Sequence, residues 1–219
     1  MAQSALPIQE VVVDEDQRFD AAEQLALIER QQEAVVRAVA VDPRLLYGAW
    51  GVAWLVGLGL AALAHGDDPV LRVPPALPAL VLGVLITAAG VLTAGHSVHA
   101  SRGISGPSTV TGVLYGWAWL LSFVALSAVN SAVLRASGDP ALADVLWPAT
   151  SGLLVGVMYL FGAAIWREPL QFGVGAWVLL TTSVGAFLGL PALLWVMALG
   201  GGGGFLAVAA WFALRRRAV

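Results

Sequence analysis

The sequence contains no cysteine and no lysine, and it holds little charge of either sign. The missing cysteine excludes disulfide frameworks, thiolate metal sites and cysteine nucleophiles together. The missing lysine excludes the phosphate-binding loop G-x-x-x-x-G-K-[ST], and leaves arginine as the whole basic complement. Charged residues make up 11% of the 219 positions, against about 25% in a soluble domain. A basic start followed by a sustained apolar core is also lacking in "MAQSALPIQEVVVDEDQRFD", so no secretory signal is expected.

What is present is apolar. Hydrophobic residues are 59% of the chain and the mean hydropathy is +0.83. So much apolar surface would not remain in solution, and the long apolar runs assign an all-α polytopic membrane protein. A hydrocarbon core of about 30 Å takes roughly 20 apolar residues of helix. Segments near 45–64, 76–95, 110–132, 146–166, 171–190 and 192–214 meet that length, which predicts a six-helix transmembrane domain over 45–214. The last two runs are nearly continuous. Pro191 separates them, since it removes a backbone donor and disfavours helix in the residue before it.

Arginine placement gives an expected orientation. With the N-terminus inside, Arg18, Arg30, Arg37, Arg44, Arg102, Arg167, Arg215, Arg216 and Arg217 lie on the cytoplasmic side, and only Arg72 and Arg135 outside. Both termini are then cytoplasmic, residues 215–219 form a basic tail, and the location is the bacterial inner membrane.

Five consecutive glycines, Gly200, Gly201, Gly202, Gly203 and Gly204, sit inside the sixth run between "LLWVMAL" and "FLAVAAWFAL". A flexible linker would be polar and solvated, and neither flank is. Two uses of such a run exist in a bilayer. Bare backbone lets a neighbouring helix approach closely, which is the reading preferred here. The alternative is a locally unwound helix whose carbonyls line a cavity. The spacing G-x-x-x-G recurs at Gly112 and Gly116, at Gly152 and Gly156, and at Gly185 and Gly189. All are candidates for helix packing or for a pathway.

The odd-numbered runs open alike, with "LLYGAWGVAWL", "VLYGWAWLL" and "LQFGVGAWVLL". The even-numbered ones open with Pro78-Ala79, Pro148-Ala149 and Pro191-Ala192. Three two-helix hairpins in parallel orientation would produce this pattern. So would the ordinary preference of Tyr and Trp for the interface and of proline for a first helical turn.

Little chemistry is legible. No Asp, Glu, Lys or Arg lies in the interior of any run, and such charges are the usual mark of proton relays and ion pathways. The polar side chains within the runs are mild, and Ser and Thr in helices bond to the carbonyl four residues back. Asn130 is the costliest, expected as an amide near a helix end. His96 and His99 are spaced i, i+3 and would share a face if the second helix continues. They could ligate a metal or haem only with a third ligand from elsewhere, and interfacial polar residues are the plainer reading. There is no G-x-S-x-G elbow. We therefore expect no enzyme, no cofactor and no nucleic-acid partner.

Ahead of the spans, residues 1–19 read as a disordered acidic tail. Residues 20–42 read as an amphipathic cytoplasmic helix. Asp20 is a candidate N-cap with Glu23 three residues on; Leu25, Ile28, Val35 and Val39 make one face. That face requires a cover, either the chain's own loops or a partner.

The order "DPRLLYGAWGVAWL", "GPSTVTGVLYGWAWLLSF", "LWPATSGLLVGVMYL" and "MALGGGGGFL" resembles a family of uncharacterised bacterial six-span membrane proteins. Its members are commonly named transporters, or permease-like proteins of ATP-binding-cassette systems. The likeness runs from about residue 20 onward. It implies a membrane subunit acting with a separate cytoplasmic ATPase, and it transfers no site residue. Such a subunit would work as a homodimer, with the ATPase docking on residues 20–42. The alternative is a non-transporting membrane sensor, or a tether that holds a cytoplasmic regulator through residues 20–42.

Overall fold

The computed structural model describes residues 23–27, 30, 42–66, 68–100 and 107–215. Among these, all regular structure is helical. The expected tail over 1–19 lies outside the described residues, as does most of the helix expected over 20–42, of which residues 23–27 and 30 are helical. From residue 41 onward the chain is one unit.

Six helices in that unit are long and apolar enough to cross a membrane. They are α1 (Pro43–Leu63), α2 (Ala76–Ala100), α3 (Pro107–Ser137), α4 (Leu142–Trp166), α5 (Pro169–Leu188) and α6, which spans Ala192–Arg215. The protein is an all-α, polytopic membrane helix bundle. Proline sits at the helix starts because its missing N–H is an orphan there anyway. Pro43 and Pro169 occupy first turns of α1 and α5. Asp42 caps α1, its carboxylate accepting the Arg44 N–H at 3.0 Å. Helix α4 begins earlier than its apolar run, so Pro148 falls inside it. Helix α3 is 31 residues long, or about 46 Å at 1.5 Å per residue. That exceeds the bilayer core, so it tilts or projects beyond it.

The α5–α6 joint is the tight hairpin that Pro191 predicts. Gly189 holds φ +73°, the Leu190–Pro191 bond is cis, and the Leu193 N–H donates to the Gly189 carbonyl at 2.7 Å. A side chain at residue 189 would be strained by that φ whatever the space around it.

The packing joins α4 to α5, α1 to α2 and to α6, and α5 to α6. The three hairpins are not equivalent. Helix α3 rests chiefly on α4, and α2 on α1, while α1, α4, α5 and α6 contribute the buried core. At its centre Leu193, Ala198, Val178, Met197 and Phe205 are essentially inaccessible.

Candidate functional site

The element that departs from regular geometry is α6. It starts as α-helix over Ala192–Trp195, widens to a π-helix over Val196–Gly202, and resumes as α-helix over Gly203–Arg215. In a π turn the hydrogen bonds run to the fifth residue rather than the fourth, and such segments concentrate at functional sites. The glycine run is thus neither a regular helix nor unwound. Gly203 ends the wide turn, its N–H shared between the carbonyls of Ala198 and Gly200.

Four of the five glycines meet neighbours on two walls. On the α1 side, a Cβ on Gly201 would lie 2.8 Å from the Trp54 ring; one on Gly202 would lie 2.7 Å from the Leu55 backbone nitrogen and 3.0 Å from the Gly51 carbonyl. On the α5 side, a Cβ on Gly200 would lie 2.9 Å from Thr181, and one on Gly204 2.8 Å from the Trp177 indole nitrogen. Gly203 faces open space. The Trp177 Nε1–H also donates to the Gly200 carbonyl at 2.8 Å. The indole therefore lies over the widened backbone and covers it from the outside, where an unmet carbonyl would face lipid.

The glycine crossings are reciprocal. A Cβ on Gly51 would meet the Gly202 carbonyl at 3.0 Å, and one on Gly202 would meet the Gly51 carbonyl at the same distance. Gly156 and Gly175 repeat the arrangement between α4 and α5, at 3.1 and 3.0 Å. Backbones this close permit Cα–H···O contacts that weakly supplement dispersion. Gly152 fits against Thr182 and Met197, and Gly185 against Leu193. Gly112 and Gly116, by contrast, turn to open space on α3. The motif gives the spacing of two glycines but not the direction they face, and this is why the four pairs diverge.

Asn130 is 2% exposed. Its Nδ2 donates to Thr150 Oγ1 at 2.8 Å, and that hydroxyl donates to the Leu146 carbonyl at 2.6 Å. With the Tyr115 hydroxyl donating to the Met158 carbonyl at 2.6 Å, it fixes α3 on α4 at two levels. An amide that bridges two helices removes a polar group from lipid, and this is the use that the buried site supports.

Thr181 and Thr182 are both buried. The Thr181 hydroxyl lies within hydrogen-bonding distance of the Trp177 and Val178 carbonyls, at 3.0 and 3.1 Å. The second of these is the carbonyl four residues before Thr182. The Thr182 hydroxyl lies instead on the Gly152 side and finds no partner among the described residues. A buried hydroxyl without a hydrogen bond costs about 1–3 kcal/mol. Thr182→Val is therefore expected to raise the melting temperature of the detergent-solubilised chain by roughly 3–9 °C. A fall, measured by scanning fluorimetry, would show that the hydroxyl is paired.

His96 and His99 separate. His96 faces α1, where its Nε2 accepts the Asp42 N–H at 3.1 Å, and His99 is exposed. Among the described residues no three His, Cys, Asp or Glu gather as a metal site. Sequence reasoning passed over Gly51, Gly175, Trp54 and Trp177. The first two stand outside the G-x-x-x-G spacing, and the tryptophans read as interfacial residues. Compared with protein-family models, curated proteins and solved structures, the chain matches none.

Proposed function

We propose that the chain is a permease-like membrane subunit of a transport system, driven by a separate cytoplasmic ATPase. The observation that carries this reading is the π-helical segment of α6 at the crossing of α1 and α5. Wide turns within helices concentrate at functional sites, and irregular helices at mid-membrane are where transporters bind substrate. The spans hold Asp, Glu and Arg only near their ends, which leaves no such charge to couple to a proton gradient. Energy then enters from outside the bundle. In the orientation set by the arginines, both termini are cytoplasmic and residues 20–42 are the docking segment for the ATPase, with two copies completing the subunit.

The test is purification of the full chain from its native membrane in mild detergent, followed by reconstitution into nanodiscs. The expected result is an ATP-binding subunit in fixed ratio, whose hydrolysis rises several-fold in the presence of this chain. A soluble partner without hydrolytic activity, or a chain that purifies without a nucleotide-binding subunit, would overturn the proposal and favour the tether.

A further inference from the structure

The N-terminal end of α1 carries a second arrangement that the glycine crossings do not use. Asp42 binds Arg44 through its carboxylate. The carboxylate accepts the Arg44 backbone N–H and Nε–H, each at 3.0 Å, and the Nη2–H at 2.6 Å. In a capping box, the N-cap residue's own N–H is met by a Glu or Gln side chain three residues on. Leu45 and Leu46 stand in that turn and offer no acceptor. His96, 54 residues away on α2, supplies it, with Nε2 3.1 Å from the Asp42 nitrogen. One turn earlier on the same face of α2, Thr93 Oγ1 accepts the Trp50 Nε1–H at 3.0 Å. The two bonds pin this end of α1 to α2.

They differ in one respect. The Trp50–Thr93 bond has no proton equilibrium near neutrality. An imidazole nitrogen, however, accepts only while it carries no proton. Histidine is the side chain whose charge changes between about pH 5 and 8. A proton on Nε2 would place a donor against the Asp42 N–H, itself a donor, and the bond would be lost. Of the described titratable and charged groups, Asp42 meets the ring through its backbone N–H and carries Arg44 on its carboxylate, and His99 stands one turn along α2.

We infer that His96 is a proton-operated latch on the start of α1: neutral, it completes the N-cap from a neighbouring helix, and protonated, it lets go of the N-cap residue's own N–H. The latch acts at the residue through which the preceding segment enters the membrane domain. It does not depend on the transport reading.

The test uses the full chain, labelled with 15N-aspartate, in micelles. The protection factor of the Asp42 amide is measured by NMR and corrected for intrinsic exchange. Between about pH 7.5 and about pH 5.5 it is expected to fall about tenfold, while that of Asp144, on α4, stays level. In H96Q, whose side-chain carbonyl accepts at either pH, protection at Asp42 is expected to become independent of pH. In H96L it is expected to be low throughout. A level response at Asp42, a fall shared by Asp144, or an H96Q chain that still responds to pH would each overturn the assignment. Only the comparison of pH values on the unaltered chain is needed if a variant fails to fold.

Discussion

Gly202→Leu is expected to lower the melting temperature of the solubilised chain by roughly 10 °C or more, corresponding to about 3 kcal/mol. The magnitude follows from what the new side chain meets. A Cβ at this position would lie 2.7 Å from the Leu55 nitrogen, 3.0 Å from the Gly51 carbonyl and 3.1 Å from the Leu55 Cα. All three are backbone atoms of α1. A flexible side chain could rotate away at small cost, whereas backbone can yield only by displacing the whole helix. Helix α1 cannot move alone, because Trp54 packs edge-on against Phe205 with ring centroids 5.5 Å apart. The displaced helix would lose that contact and the reciprocal fit at Gly51. The control lies one residue away. Gly203 faces open space with φ −62°, so Gly203→Ala removes an unfavourable helix former without a clash. It is expected to hold or slightly raise the melting temperature. Equal losses in both variants would mean that the run is sensitive as a helix rather than as a contact surface, and the reciprocal crossing would be wrong.

The pair also marks how far the sequence can be read. Hydropathy and run length carry the six spans, since the bilayer admits only a segment of sufficient apolar length and tolerates few charges in it. Pro191 carries the α5–α6 break, because its effect on the backbone is local. The ends are less legible. Helix α3 extends to residues 107 and 137, beyond the apolar run, since Arg135 and its neighbours can remain helical outside the hydrocarbon. The direction that a glycine faces is not legible at all. Gly116 and Gly156 have the same spacing from their partners, yet one meets open space and the other the Gly175 carbonyl. Which side of a helix is covered depends on the tertiary arrangement, and in a span apolar all round no amphipathic stripe reports it. His96 fails for a related reason. Its partner is a backbone N–H 54 residues away, and a backbone donor leaves no trace in residue type. The π turn is the hardest feature to foresee, because glycine permits both a regular and a widened helix, and the contacts with α1 and α5 select between them.

Trp177→Phe is expected to destabilise the same segment from its outer side, by about 1–3 kcal/mol, or roughly 3–9 °C. The smaller ring loses the N–H that reaches the Gly200 carbonyl at 2.8 Å, together with the nitrogen that lies nearest Gly204. That carbonyl would lose the bond that reaches it from outside its own helix. In water the loss would be met by solvent. At this depth in a bilayer there is none, and an unmet peptide group is among the larger local costs a membrane helix can carry. The loss should be local as well as global. Hydrogen exchange at residues 200–205 is expected to quicken in Trp177→Phe, with α4 unaffected. Trp177→Ala should lower stability further, because it also uncovers Gly200 and Gly204. If Phe matches Trp in both melting temperature and exchange, the indole nitrogen is not what holds the wide turn, and its stability must come from the α1 contacts of Gly201 and Gly202 alone. If exchange quickens while the melting temperature holds, the indole governs a local opening of α6. The segment would then be the most easily opened part of a bundle that is otherwise closely packed, which is the property the transport reading requires of it.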